Sequence, residues 1–237
     1  ANKEIKDFKS DYYSIQPTEF RMINPRLLVS EGDKVKVGTP IIHDKNNEKI
    51  LITSPVSGQI SEIKRGEKRK LENIVIKSDS EQSSIDFGKT EIEKIERAEI
   101  IEKLLNSGLW PYIKQRPYGI IANPNELPDA IFISGFDTAP LAPDMKFVMS
   151  NCDIETFQLG IDILKKLTPG LIHLNVNPDL GVADIFLKTQ KVQINQISGP
   201  HPAGNISVQI HHIRPIIKGD LIWHLSPQDV ITIGRFF

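Results

Sequence analysis

Hydrophobic positions recur along this chain in two rhythms, and the change from one to the other divides it. From Leu27 to Ile42 short apolar stretches are interrupted by Gly32 and Gly38, six residues apart, each set among polar residues or close to a proline. That placement suits tight turns between short strands. From Ile50 to Ile63 apolar and polar residues alternate after Gly58, with Val56, Ile60 and Ile63 available for an interior and Pro55 and Gly58 bracketing a turn. A period of two predicts a β-rich first domain. Beyond residue 98 the period lengthens. Ile100, Leu104 and Leu105 fall at i, i+4 and i+5 and stop before Gly108, a helix ending in a left-handed cap. Ala130–Ser134 is a nearly continuous apolar run between Pro128 and Gly135, which predicts a strand buried on both faces. Ile154, Phe157, Ile161, Leu164 and Leu167 then describe a helix with Asp153 as N-cap and Thr168-Pro169-Gly170 as its stop. A strand at Leu171–Val176, a short helix at Val182–Leu187 and a strand at Val192–Ile197 complete an alternation that implies right-handed crossovers and a Rossmann-like parallel α/β layer. The rest is expected to add C-terminal strands, one of them carrying His211 and His212.

The run Ser78–Ser84 contains no apolar residue and reads as a loop or linker. The division expected is therefore an N-terminal segment at 1–20, a β domain at 21–80, a linker at 81–97 and an α/β domain at 98–237. Charge follows the same seam: residues 1–100 hold 18 basic and 18 acidic side chains, the remaining 137 only 11 and 12. With 39% hydrophobic and 25% charged residues the chain is an ordinary globular one, and a net charge of −1 supplies no general attraction for nucleic acid or anionic lipid. The single cysteine, Cys152, forms no internal disulfide, and no run approaches the roughly 20 apolar residues of a membrane-spanning helix. The start lacks both a Met and the layout of a signal peptide, which fits a cytoplasmic chain cut from a longer one.

The pattern Gly-Asp-x-Val-x-x-Gly from Gly32, followed by Ser54-Pro55-Val56-Ser57-Gly58-x-Ile60, resembles the barrel-sandwich hybrid of biotinyl and lipoyl carrier domains. Carrier function needs a lysine at a hairpin tip. In the biotinyl pattern it lies eight residues before the proline, and here that position is Asn47; Lys45 and Lys49 stand off register. No biotinyl or lipoyl lysine is therefore assigned, and a packing or docking module is expected.

A Rossmann-like layer raises the question of a phosphate loop. Neither Gly-x-Gly-x-x-Gly nor a P-loop motif occurs. The loop from Gly135 to Asp144 has one glycine and two prolines, which remove the N–H donors a pyrophosphate would use. Cys152 and Ser198 have no visible base nearby, and Asp137 and Asp144 are expected to make turn hydrogen bonds rather than act as an acid and base pair. His201, His211 and His212 lack companions at ligand spacing, so no metal site is assigned. Three classes stay open on these grounds: a nucleotide-linked oxidoreductase domain, a carrier or docking module, and a structural subunit.

Five segments narrow the choice: residues 107–118 (SGLWPYIKQRPY), 130–142 (AIFISGFDTAPLA), 198–205 (SGPHPAGN), 209–213 (QIHHI) and 227–235 (PQDVITIGR). Together they closely resemble the A subunit of the sodium-translocating NADH:quinone oxidoreductases, over nearly all of 16–237 and in that family's N-terminal portion only. The family is similar in fold to the Rnf complex C subunit and to the flavin-binding subunit of complex I. The resemblance implies a peripheral subunit on the cytoplasmic face of the bacterial inner membrane, joined to other subunits. Flavins, an iron–sulfur centre and NADH are handled elsewhere in that complex, and this chain holds no tightly bound cofactor. In the flavin-binding relatives the loop matching Gly108–Gly119 is glycine-rich and cradles the flavin phosphate. Here side chains fill it. Trp110, Tyr112 and Tyr118, interleaved with Lys114 and Arg116, offer flat apolar faces and fixed donors suited to a quinone ring and its carbonyls. The turn with Pro200, His201, Gly204 and Asn205 is expected to be a ligand loop. The function expected is quinone binding or subunit docking without redox chemistry of its own, the alternative being a Rossmann-like oxidoreductase domain that binds FMN or NADH directly.

Overall fold

The computed structural model describes residues 4–237 and divides into two compact units, one running to Gly88 and including Ile101–Pro111, the other Lys89–Ile100 with Tyr112–Phe237. In the first unit seven strands form two sheets: β1 (Tyr12–Ile15), β2 (Pro25–Leu27), β3 (Lys34–Val35), β4 (Pro40–Asp44), β5 (Asn47–Thr53), β6 (Gly58–Arg65) and β7 (Leu71–Ser78). One sheet has the order β1-β7-β6-β3 and the other β2-β4-β5, and each consists of antiparallel pairs. Their inward residues, among them Ile41, Ile42, Ile52, Ile60, Ile74 and Ile76, make one apolar cluster. Strands such as β6 and β7 alternate over part of their length because one face is wet, whereas β4 buries Ile41, Ile42 and His43 in succession beside a register shift. Gly58 sits so close to the backbone of β7 that a Cβ would lie 2.0 Å from the Lys77 carbonyl oxygen, which is why the Pro55–Gly58 turn ends on glycine. The two-residue turn between β4 and β5 is Lys45–Asn46, with Asp44 paired to Asn47. A lysine thus stands in the turn itself, whereas counting back from Pro55 puts Asn47 there.

The polar run after β7 spends its hydrogen-bonding groups on this unit. Gln82 Oε1 accepts from the Ser57 amide at 2.8 Å, the Ser83 amide donates to Ser57 Oγ at 3.0 Å, and the Ile85 amide donates to the Val37 carbonyl at 2.9 Å.

Helix α1 (Arg97–Asn106) follows, ending before Gly108 at φ +76°. The second unit then builds a six-stranded sheet from β8 (Lys114–Arg116), β9 (Ile120–Ile121), β10 (Ala130–Ser134), β11 (Leu171–Val176), β12 (Gln193–Gln196) and β13 (Ile222–Leu225), in the order β12-β11-β10-β13-β8-β9. Four neighbouring strands, β12 to β13, are parallel, and β8 and β9 close the edge antiparallel. The helices are α2 (Met145–Met149), α3 (Ile154–Leu167), α4 (Asp184–Lys188), α5 (Ile206–Ile213) and α6 (Pro227–Phe236). The chain crosses from β10 through α3 to β11 in one direction, and from β12 through α5 back past β10 to β13 in the other. Right-handed crossovers in opposite directions put α3 and α5 on opposite faces. Ala130, Phe132 and Ile222 accordingly cluster with Ile210, and with Ile206 and Ile213, of α5.

The expected C-terminal strands are corrected by this topology. After β12 the chain supplies one strand and two helices, and His211 and His212 lie exposed on α5. The apolar residues Ile206, Ile210 and Ile213 have helical spacing, and Asn205 caps them by accepting from the Ser207 amide at 2.9 Å. Likewise Ser226-Pro227-Gln228-Asp229 opens α6 with a reciprocal capping box: the Asp229 amide donates to Ser226 Oγ and the Ser226 amide to Asp229 Oδ2.

Helices α3 and α6 cross through glycines. A Cβ on Gly160 would lie 2.2 Å from the Val230 carbonyl oxygen, and one on Gly234 2.0 Å from that of Thr156. Glycine inside a helix ordinarily costs about 1 kcal/mol relative to alanine, so these two are kept for the close approach. Gly160→Ala is expected to lower stability by about 1–3 kcal/mol despite its better helix propensity, because the obstacle is backbone. Urea unfolding checks it; an unchanged or higher midpoint would show that the helices separate at little cost.

Candidate functional site

Where two parallel strands are neighbours but their connections leave in opposite directions, the loops diverge and a crevice opens at the strands' carboxyl ends. In this sheet that place is between β10 and β13. A cleft of about 730 Å³ lies there, lined by Ser134 and Phe136 at the end of β10, His224 to Asp229 at the end of β13, His201, Gly204 and Asn205 before α5 with Ile206 at its start, and Tyr112, Lys114 and Arg116 from the β8 arm.

Lys114 and His224 of its lining belong to a row of side chains on one face of the sheet. Lys114 pairs with His224, His224 with Phe132, and Phe132 with His173, so the four share a face across four strands. Phe132 and His173 stack with ring centroids 4.3 Å apart, and Arg116 follows Lys114 on the same face. The α5 end of this row is apolar core; the β8 end is cationic. Nε2 of His224 is buried and meets no hydrogen-bonding atom among the described residues. Burial, with Arg116 and Lys114 alongside, lowers the His224 pKa from 6.5 to about 3, so its ring is neutral. Burial also lowers the Lys114 pKa, opposed by the charge of Asp229. The Asp229 carboxyl is raised by burial, against the pull of its Ser226 hydrogen bonds and of Lys114. The Tyr112 phenol is raised by burial and then by Asp229.

The turn before α5 forms the opposite wall. Thr138 Oγ1 accepts from the Gly204 amide at 2.9 Å and lies 3.2 Å from His201 Nδ1, tying this turn to the loop after β10. A Cβ at Gly204 would sit 2.3 Å from the Thr138 amide nitrogen, so only glycine allows that approach. Gln209, wholly buried, donates to Ser134 Oγ at 2.9 Å and to the Ala203 carbonyl at 3.1 Å, and accepts from Asn175 at 2.8 Å. The end of β10 and the turn before α5 are thereby held to one polar network.

The sequence-derived residues divide. Tyr112, Lys114 and Arg116 meet in the cleft, as do His201, Gly204 and Asn205; Pro200 is outside its lining. Trp110 is corrected: it is fully buried and lines no part of the cleft, so its ring is packing material. Tyr118, 65% exposed, lies in a second hollow of about 600 Å³ with Arg116, Leu127 and Ile217. Asp137 accepts from the Ala139 amide and Asp144 caps α2 through the Phe147 amide, both the turn roles expected. Among the described residues no group of three or more His, Cys, Asp or Glu is arranged to hold a metal ion. His224, Ser226 and Asp229 join the site only through the fold. The signals in the sequence are a polar residue in the apolar run Leu221–Leu225, immediately before a helix-capping pattern, and the place of Asp229 in the segment 227–235.

The neutral ring of His224 has a consequence for stability. Unfolded, an imidazole titrates near 6.5; folded, at about 3. Between those values the unfolded chain holds the extra proton, so stability is complete above about pH 6.5 and falls as pH drops, by about 1.4 kcal/mol per pH unit. His173, also lowered by burial, acts in the same direction. Acidification from pH 6.5 to 5 is therefore expected to cost wild type about 1.5–2 kcal/mol more than His224→Gln. Equal losses in urea titrations at the two pH values would count against a buried neutral ring.

Comparison with known proteins agrees with this architecture. The family profile described as the NqrA N-terminal barrel-sandwich hybrid domain matches residues 1–79, and that described as the NqrA second alpha/beta domain matches 95–237. Proteins named as the A subunit of Na(+)-translocating NADH-quinone reductase are similar at 38% identity in Yersinia pseudotuberculosis serotype O:1b (strain IP 31758) and 34% in Marinomonas sp. (strain MWYL1). Each alignment covers 92% of this chain, and 49% and 48% of the respective relative. Spanning about half the length of these relatives, with a β sandwich followed by a parallel α/β unit whose cleft lies at the switch point, the chain belongs to the NqrA family.

Proposed function

We propose that this chain serves as part of a peripheral subunit of a sodium-translocating NADH:quinone reductase, and that its switch-point cleft binds quinone. The relatives' name supports the first statement. Among the described residues no helix is long and apolar enough to cross a membrane, which is compatible with attachment through other subunits on the cytoplasmic face. One observation carries the second: an aromatic ring, Tyr112, and two cations, Lys114 and Arg116, line a cleft that also presents the apolar side chains of Phe136, Met145, Ile206 and Leu225 among its polar groups. A flat, uncharged ring with carbonyl oxygens suits apolar walls with a few convergent donors. Binding and orientation are the tasks this reading assigns to these side chains.

A short-chain ubiquinone is expected to bind the chain saturably, and a photoreactive derivative to label the segment from Tyr112 to Arg116. Tyr112→Ala should weaken binding about two- to tenfold through loss of ring contact, with the unfolding midpoint nearly unchanged, since this side chain is 42% exposed. Titration with FMN and NADH under the same conditions decides against the alternative: saturable binding of either, without quinone binding, would overturn the reading.

A further inference from the structure

A buried polar atom with no partner is rare in a folded protein and calls for an explanation. Nε2 of His224 is such an atom among the described residues, and it belongs to a residue that lines the cleft. It is also flanked. Lys114 stands directly across the β13–β8 ladder from His224, and Arg116 lies two residues along the same face. Asp137, also in the lining, accepts from the Ala139 amide. Asp229 is engaged in the α6 capping box. One part of the lining thus presents two cations and a hydrogen-bonding nitrogen on a single sheet face, with the Asp229 carboxylate, held in its own helix cap, also acting on Lys114.

Resting on the quinone reading, we propose that His224, Lys114 and Arg116 form an oxyanion-binding end of the cleft, which holds a ring oxygen of the ligand and favours rings whose oxygen is ionised. The imidazole, in the tautomer with its proton on Nε2, donates one hydrogen bond to that oxygen. A neutral ring suits this role, because a third positive charge beside Lys114 and Arg116 would be repelled by both. The two cations supply the electrostatic preference, which a half-buried setting strengthens relative to open water. His224 is here the residue that fixes the direction of the oxygen, and the cations are those that select its charge.

Two probes of nearly equal size separate this inference from the reading beneath it: 1,4-naphthoquinone, which is uncharged, and 2-hydroxy-1,4-naphthoquinone, an anion at neutral pH. Calorimetric titration of the chain is expected to show the anion bound at least about tenfold more tightly. Lys114→Met combined with Arg116→Met should abolish that preference, weakening the anion at least about tenfold more than the uncharged ring, which also loses donors to its carbonyls. His224→Leu should weaken both probes about fivefold, and His224→Gln, which returns a donor near the Nε2 position, should restore most of the loss. Should His224→Leu fail to fold, the two probes on wild type and on the paired cation variant still decide. Equal affinities for the two probes on wild type would overturn the oxyanion end and leave the quinone cleft standing. Binding of neither would overturn the quinone reading itself.

Discussion

The α/β unit depends on the pairing of β10 with parallel strands on both sides. Ala130, Ile131, Phe132 and Ile133 are completely buried, so this strand has no wet face, and its ladder is satisfied by β11 and β13 together. Because it is the first of the four parallel strands in the chain and has parallel neighbours on both sides, the chain must leave it one way and return on the other side. That return separates the loops at its carboxyl end. The cleft is the geometric residue of this constraint, and each side chain in it is delivered by an element anchored to β10 directly or through a neighbour.

Closure of the unit is held by two devices that differ in kind. On one face the glycines of α3 and α6 allow backbone to approach backbone, which gives a close, stiff crossing with little tolerance for an added methyl group. Near the cleft, Asn175, Gln209 and Ser134 form a buried chain of hydrogen bonds that reaches the turn before α5. Apolar packing alone would position α5 without fixing the turn ahead of it. The amide network adds that specificity, and so sets the wall on which His201 and Gly204 stand.

The sheet face that carries the cleft serves two purposes. Toward α5 it is apolar, with Phe132 and Ile222 packed on Ile210; toward β8 it turns to His224, Lys114 and Arg116. An antiparallel edge added to a parallel sheet makes this division natural, since β8 contributes side chains to a face already begun by the core strands. Tyr118 and the exposed Ile217, in the second hollow beyond Arg116, extend the same edge outward.

Local pattern determined much of this protein. The apolar run of β10, the helix from Ile154 to Leu167 with its Asp153 cap, the Gly108 stop and the alternating strands around Gly58 are all legible, because each rests on a periodicity or cap complete within a few residues. The capping patterns of α5 and α6 are equally present in the sequence, but short apolar segments carry helix and strand signals together, and the adjacent histidines obscure the helical spacing of Ile206, Ile210 and Ile213. What only the tertiary structure decided is which side chains meet. Trp110 and Tyr112 are two residues apart, yet one is core and the other lines the cleft. His224 faces Lys114 across 110 positions of chain through a strand register that no local pattern specifies. Sequence sets the elements through local energetics; the site arises from long-range pairing, whose partners are chosen by the burial of the whole sheet.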